Sequence, residues 1–133
     1  MLRLRTLVVG SIGVVATACT GGAYQTGMVV AGASFGEVRE VVMDVAPALH
    51  LREDAATKGF FRAELAAERC GPVVVVIRAD ADEATIEVEQ SCGPRWSEPK
   101  EYLPIAERLR QEVEARFGKQ WVRGLASRFQ SRG

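Results

Sequence analysis

The sequence predicts an α+β fold, a two-layer sandwich in which an antiparallel meander of three or four strands carries N- and C-terminal helices on one face. Three observations predict it. Val38, Val41, Val42 and Val45 recur at helical spacing behind a capping pattern at Ser34 and Glu37. The run from Val73 to Arg78 is rich in β-branched residues, and Thr85 to Glu89 alternates apolar Ile86 and Val88 with Glu87 and Glu89, which together read as a hairpin. Ala106, Leu109, Val113 and Phe117 then form a second helical stripe. The organisation expected is a leader over 1–18, a tether over 19–33, one globular domain over 34–118 and a tail over 119–133.

The chain opens with Arg3 and Arg5, an apolar stretch from Leu7 to Val15, and the small residues Ala16-Thr17-Ala18 immediately before Cys19. That order suits a cleaved export leader. The stretch from Leu7 to Ala18 is well short of the roughly 20 residues a helix needs to cross a bilayer, so it is not a permanent span. Residues 1–19 resemble the signal peptides of bacterial lipoproteins, although Ala16 stands where those boxes usually carry leucine. The resemblance implies cleavage before Cys19, a diacylglyceryl group on its thiol, and a lipid-anchored protein of the cell envelope. Thr20 in place of aspartate implies the periplasmic face of the outer membrane in a Gram-negative source. Ala16 and Ala18 also satisfy the ordinary secretory A-x-A rule, which cuts the same bond and leaves Cys19 as a free thiol.

Removing Arg3 and Arg5 with the leader leaves 15 basic residues against 17 acidic ones, a net charge of −2, which excludes a general nucleic-acid binder. The charge is uneven. Residues 20–118 hold 11 basic and 17 acidic side chains, whereas 119–133 hold Lys119, Arg123, Arg128 and Arg132 and no acid.

Along the exported part, Thr20 to Ala33 is rich in glycine and small residues and reads as a flexible tether, with Tyr24 and Met28 to Val30 offering at most a short edge strand. A first amphipathic helix is expected from Phe35 to about Ala46, with Pro47 near its end. Leu49 to Glu53 reads as a short strand. From Phe60 to Glu68 the alternation of Phe61, Ala63, Leu65 and Ala67 favours a strand, while the alanine, glutamate and arginine content suits a helix. Pro94 to Pro104, containing Trp96, is a connector. A second helix follows from about Pro104 or Ile105 to Phe117, closed by Gly118, with Glu112 and Arg116 paired one turn apart.

With Cys19 lipidated, Cys70 and Cys92 remain as a pair in an oxidising compartment. A hairpin turn centred on Ala81 pairs Val76 with Ile86, Val74 with Val88 and Cys70 with Cys92, so a disulfide across the open end of the hairpin is geometrically natural. It would contribute roughly 3 kcal/mol through loop-closure entropy. Redox-active or metal-binding thiols are the alternative, against which stand the absence of a CxxC and of a nearby histidine.

No constellation in the sequence marks an enzyme, and no cofactor is implied. The sole histidine, His50, sits where the first helix gives way to a strand, and catalysis there needs a partner that sequence proximity to Glu53 and Asp54 does not supply. Asp80, Asp82 and Glu83 form an acidic turn that offers oxygen ligands to a divalent cation but lacks the glycine and terminal glutamate of an EF-hand loop. In the tail, Trp121, Leu125 and Phe129 recur every four residues among Arg123 and Arg128, the pattern of a basic amphipathic helix that contacts a membrane surface or partner, or docks on its own domain. The resulting expectation is a non-catalytic interaction or assembly module, anchored to the membrane through its N-terminal lipid, with an envelope protein as partner. A binder of small ligands or divalent cations is the alternative.

Overall fold

The computed structural model describes residues 22–57, 59–79, 82–93 and 99–131, with 126–131 described by backbone alone. The leader, Cys19, Thr20, Asp80 and Trp96 fall outside the described residues. One antiparallel sheet of six strands organises the chain, in the spatial order β2-β3-β4-β5-β1-β6. The elements run β1 (Gly22–Ala31), α1 (Phe35–Leu49), β2 (Arg52–Thr57), β3 (Phe60–Leu65), β4 (Val73–Ala79), β5 (Glu83–Cys92), α2 (Tyr102–Phe117), a 3-10 turn (Lys119–Trp121) and β6 (Val122–Ser131).

The core lies between the helices and one face of the sheet. Val38, Val41, Val42 and Val45 of α1 and Ile105, Ala106, Leu109 and Val113 of α2 are buried against Phe61, Val75, Ile77, Ile86, Val88, Met28 and Val30 of the strands. Each large side chain removed from water in this layer contributes on the order of 2 kcal/mol before conformational entropy is set against it. Both helices therefore cover the same face, and the α+β architecture is as the sequence pattern predicts. The strand count is not: six strands stand where three or four were expected.

Two strands account for the difference. Residues 22–31, expected as a tether, form β1 at the interior of the sheet, between β5 and β6. Its small residues answer to crowding rather than flexibility: a Cβ on Gly27 would overlap the Ile86 carbonyl oxygen of the neighbouring strand. Ala23, Met28, Val29 and Val30 are all buried, so both faces of this strand are covered and no polar alternation marks it. Residues 122–131, expected as an amphipathic helix, form β6. Gly118, with φ of 98°, ends α2 and turns the chain, after which Gly124 is costly in a helix and tolerated in a strand.

At the N-terminus of α1, the Ser34 hydroxyl accepts from the Glu37 amide and the Glu37 carboxylate accepts from the Ser34 amide, the reciprocal cap the sequence predicts. Pro47 lies inside the last turn rather than ending the helix. His50 ends it in the left-handed conformation, its amide bonded to the carbonyls of Ala46 and Pro47. The first short strand after α1 is Arg52–Thr57, displaced from the expected Leu49 to Glu53. The ambiguous segment resolves as strand over Phe60–Leu65. Helix α2 begins at Tyr102, ahead of Pro104. Glu112 bonds Arg108 rather than Arg116, which instead reaches across to Glu40 and Asp44 of α1 at 3.2 Å each.

Within the β4–β5 hairpin the register differs by one from expectation: Val76 faces Glu87, Val74 faces Glu89, and Ile77 faces Ile86. A run of β-branched residues on both faces of β4 leaves the pattern degenerate, and a one-residue slip exchanges the two faces. The cysteine pairing holds nevertheless. Their sulfurs lie within bonding distance and their α-carbons are 4.6 Å apart. Gly71 donates to the Ser91 carbonyl at 2.8 Å, so the register shifts by one before β4 starts and Cys70 meets Cys92.

Candidate functional site

Six strands and two helices leave one face of the sheet without a helical cover. On that face the β2–β5 half carries several ion pairs, with Glu89 unpaired among the described residues. Arg62 bonds both Asp54 and, at 3.1 Å, Glu64, while Arg78 bonds Glu87 on the next strand. The β6 side differs. Arg123 stands opposite Val29 and Leu125 opposite Gly27. Arg123 is exposed and, among the described residues, has no ion-pair partner.

On the covered face, α2 packs beside β1 and β6 and leaves a hollow of about 190 Å³ lined by Met28, Leu103, Ala106, Arg110 and Leu125 among others. Leu103 is 41 % exposed, one of the few large apolar side chains left in water. The Arg110 guanidinium, paired with Glu114, occupies the space over Gly124, 3.1 Å from where a Cβ would stand. Thr26 donates its hydroxyl to the Leu125 carbonyl at 3.1 Å, beside a bulge that interrupts the β1–β6 register between Gln25 and Gly27.

The tail residues singled out by four-residue spacing do not form one stripe. Trp121, 52 % exposed, sits in the 3-10 turn and lines a separate hollow of about 280 Å³ with Phe117, Ala31, Ala33 and Glu37. Arg123 and Leu125 follow on β6, Arg128 stands opposite Gln25, and Phe129 stands opposite Tyr24. At strand rise, Trp121 and Phe129 are separated by about 25 Å along the edge, so the helical contact surface expected of them does not exist.

Glu37 lines the Trp121 hollow, and the Ser34 backbone amide, with help from the Ser34 hydroxyl, holds its carboxyl below the ordinary value of 4.5. The backbone of His50 caps α1, and the residue is exposed. Gln90, which strand alternation places inward with Ile86 and Val88, is fully buried; its Nε2 donates to the Gly71 carbonyl and to Glu101. That inward glutamine was readable from the alternation of β5 and was overlooked. The groove residues Leu103 and Arg110 had no such signal, because nothing in the sequence shows which strand α2 lies beside.

Among the described residues no group of three or more His, Cys, Asp or Glu side chains converges to hold a metal ion, and Glu83 belongs to β5. None of their helices is long and apolar enough to cross a membrane. Family models, curated proteins and solved structures were compared with the chain, and none matches.

Proposed function

We propose that this is a lipid-anchored protein of the cell envelope, probing its surroundings as a non-catalytic interaction module, with Cys19 as the acylated N-terminal residue. The observation that carries the reading is the leader itself: a basic start, an apolar middle and Ala16-Thr17-Ala18 before Cys19. The fold supports it by position. β1 begins at Gly22, and the three residues from Cys19 span at most about 10 Å, so an acyl chain there holds the Gly22 end of the sheet beside its bilayer. The Cys70–Cys92 crosslink lies at that same end, since Gly22 faces Cys92. Such a staple suits an oxidising compartment.

β1 then leads away over about 30 Å to Ala31, which borders the Trp121 hollow. The outer-membrane location follows from Thr20 in the same reading.

Intact mass of the protein extracted from membranes tests this. The expected result is a chain beginning at Cys19 with the added mass of lipid, and a Cys19→Ser variant that accumulates as the uncut precursor. A chain beginning at Cys19 with no added mass, or a Cys19→Ser variant processed and retained as before, overturns it.

A further inference from the structure

We propose that the free edge of β6, together with the first half of α2, receives an extended acidic segment of a partner polypeptide, which adds to the sheet as a seventh strand. This deepens the interaction-module reading and rests on it for the existence of a partner, but not on the lipid.

Among the described residues β6 is the terminal strand of the sheet, so alternate residues along its length turn their backbone N–H and C=O groups away from β1. Backbone pairing supplies the affinity in strand addition, and the flanking side chains supply the selectivity. On β6 itself the charged residues, Arg123 and Arg128, carry one sign, whereas on the α2 side Glu107 lines the hollow and Arg110 is paired with Glu114. Lys119 and Arg123 have no ion-pair partner among the described residues.

The second observation is the hollow beside the edge. An added strand places one set of alternate side chains on the face of Arg123 and the other on the face of Leu103 and of Arg110, whose guanidinium lies over Gly124. A segment with acids on one face and a branched apolar residue on the other complements both.

A second copy of the chain fits less well. In the antiparallel register that sets Arg123 opposite Arg128, β6 against β6 brings like charges together, and like charges on facing strands are destabilising. The other edge, β2, does contain Glu53 and Asp54, but Arg39 and Arg62 already hold them.

The test uses the full-length protein in mild detergent with labelled ten-residue probes of alternating Glu and Val, alternating Lys and Val, and a Glu/Val probe N-methylated on alternate residues of the pairing edge. The expected result is saturable binding of the Glu/Val probe at least tenfold tighter than the Lys/Val probe, with loss of binding on N-methylation. Amide exchange should slow at Val122 to Leu125 and stay unchanged in β2. Arg123→Glu should weaken binding at least tenfold with an unchanged melting temperature. As a second variant, Gly124→Val narrows the groove and should weaken binding without reversing the charge preference.

No saturable binding, binding indifferent to N-methylation or to Arg123→Glu, or protection of β6 that arises from self-association or from anionic vesicles alone overturns the proposal. Acylation of Cys19 is read separately by mass. A partner crosslinked to another surface sinks the strand addition and leaves the interaction module standing.

Discussion

The two edges of the sheet are built differently. β2 is six residues long, bulged between Glu53 and Ala55, and its two acids, Glu53 and Asp54, are tied into ion pairs with Arg39 and Arg62, while Arg52 is exposed. β6 is ten residues long and carries Arg123 exposed and unpaired among the described residues, beside a groove with an exposed leucine. Short, twisted and charged edges are the usual protection against unwanted strand pairing. One edge has that protection in full, and the other has the bulge alone, with charge of a single sign. The difference in length and in paired acids is what the proposed strand addition at β6 draws on.

The largest expected effect comes from parting the two edges. Gly27→Val drives a side chain into the Ile86 carbonyl and prises β1, with β6 attached, from β5. Denaturant unfolding should show a loss of about 3 kcal/mol, at the upper end for overpacking. A loss under about 0.5 kcal/mol would mean that β1 is not wedged against β5 as described.

Smaller effects separate the edges from one another. Arg62→Ala removes the ion pairs beneath β2 and should cost up to about 1 kcal/mol, because the groups are partly exposed. Arg123→Ala should leave stability within about 0.5 kcal/mol, as expected for an exposed side chain with no partner. If Arg123→Ala were the more destabilising of the two, β6 would be structural rather than available.

The least effect concerns pH at the start of α1. The Ser34 amide stabilises the ionised Glu37 carboxylate, so the folded carboxyl titrates below its unfolded value. Its contribution is present above the ordinary value of 4.5 and is lost as pH falls through the folded one. Glu37→Gln should therefore be slightly less stable than the parent at neutral pH, and melting curves of the two should converge in acid. A gap that widens on acidification contradicts the cap.

How much of this was legible depended on whether local chemistry had only one solution. The Ser34–Glu37 cap, the valine stripe of α1 and the stripe of α2 each repeat a single helical period, and they form helices. The pairing of Cys70 with Cys92 was also legible, though the hairpin register that suggested it was not. Val73 to Ile77 is apolar on both faces, so only the fold decides which valines face inward. β1 was obscured because a central strand covered on both sides loses its alternation, and because Gly27 is required by close approach rather than by flexibility.

β6 was mistaken for a helix because residues four apart, such as Trp121, Leu125 and Phe129, suit a helical period as well as a strand period, and the one extra residue that a bulge inserts between Leu125 and Arg128 breaks the strand alternation. The groove beside α2 was not legible at all, since it depends on which strand returns to which edge.

Hydrogen exchange on the protein with the alternating Glu/Val probe bound, set against the same protein alone, bears most directly on the asymmetry of the two edges. The account predicts that the backbone amides of Val122 to Leu125 exchange more slowly with the probe bound, while those of Arg52 to Thr57 are unchanged. Equal exchange of β6 in both settings, or slowing confined to β2, would contradict it.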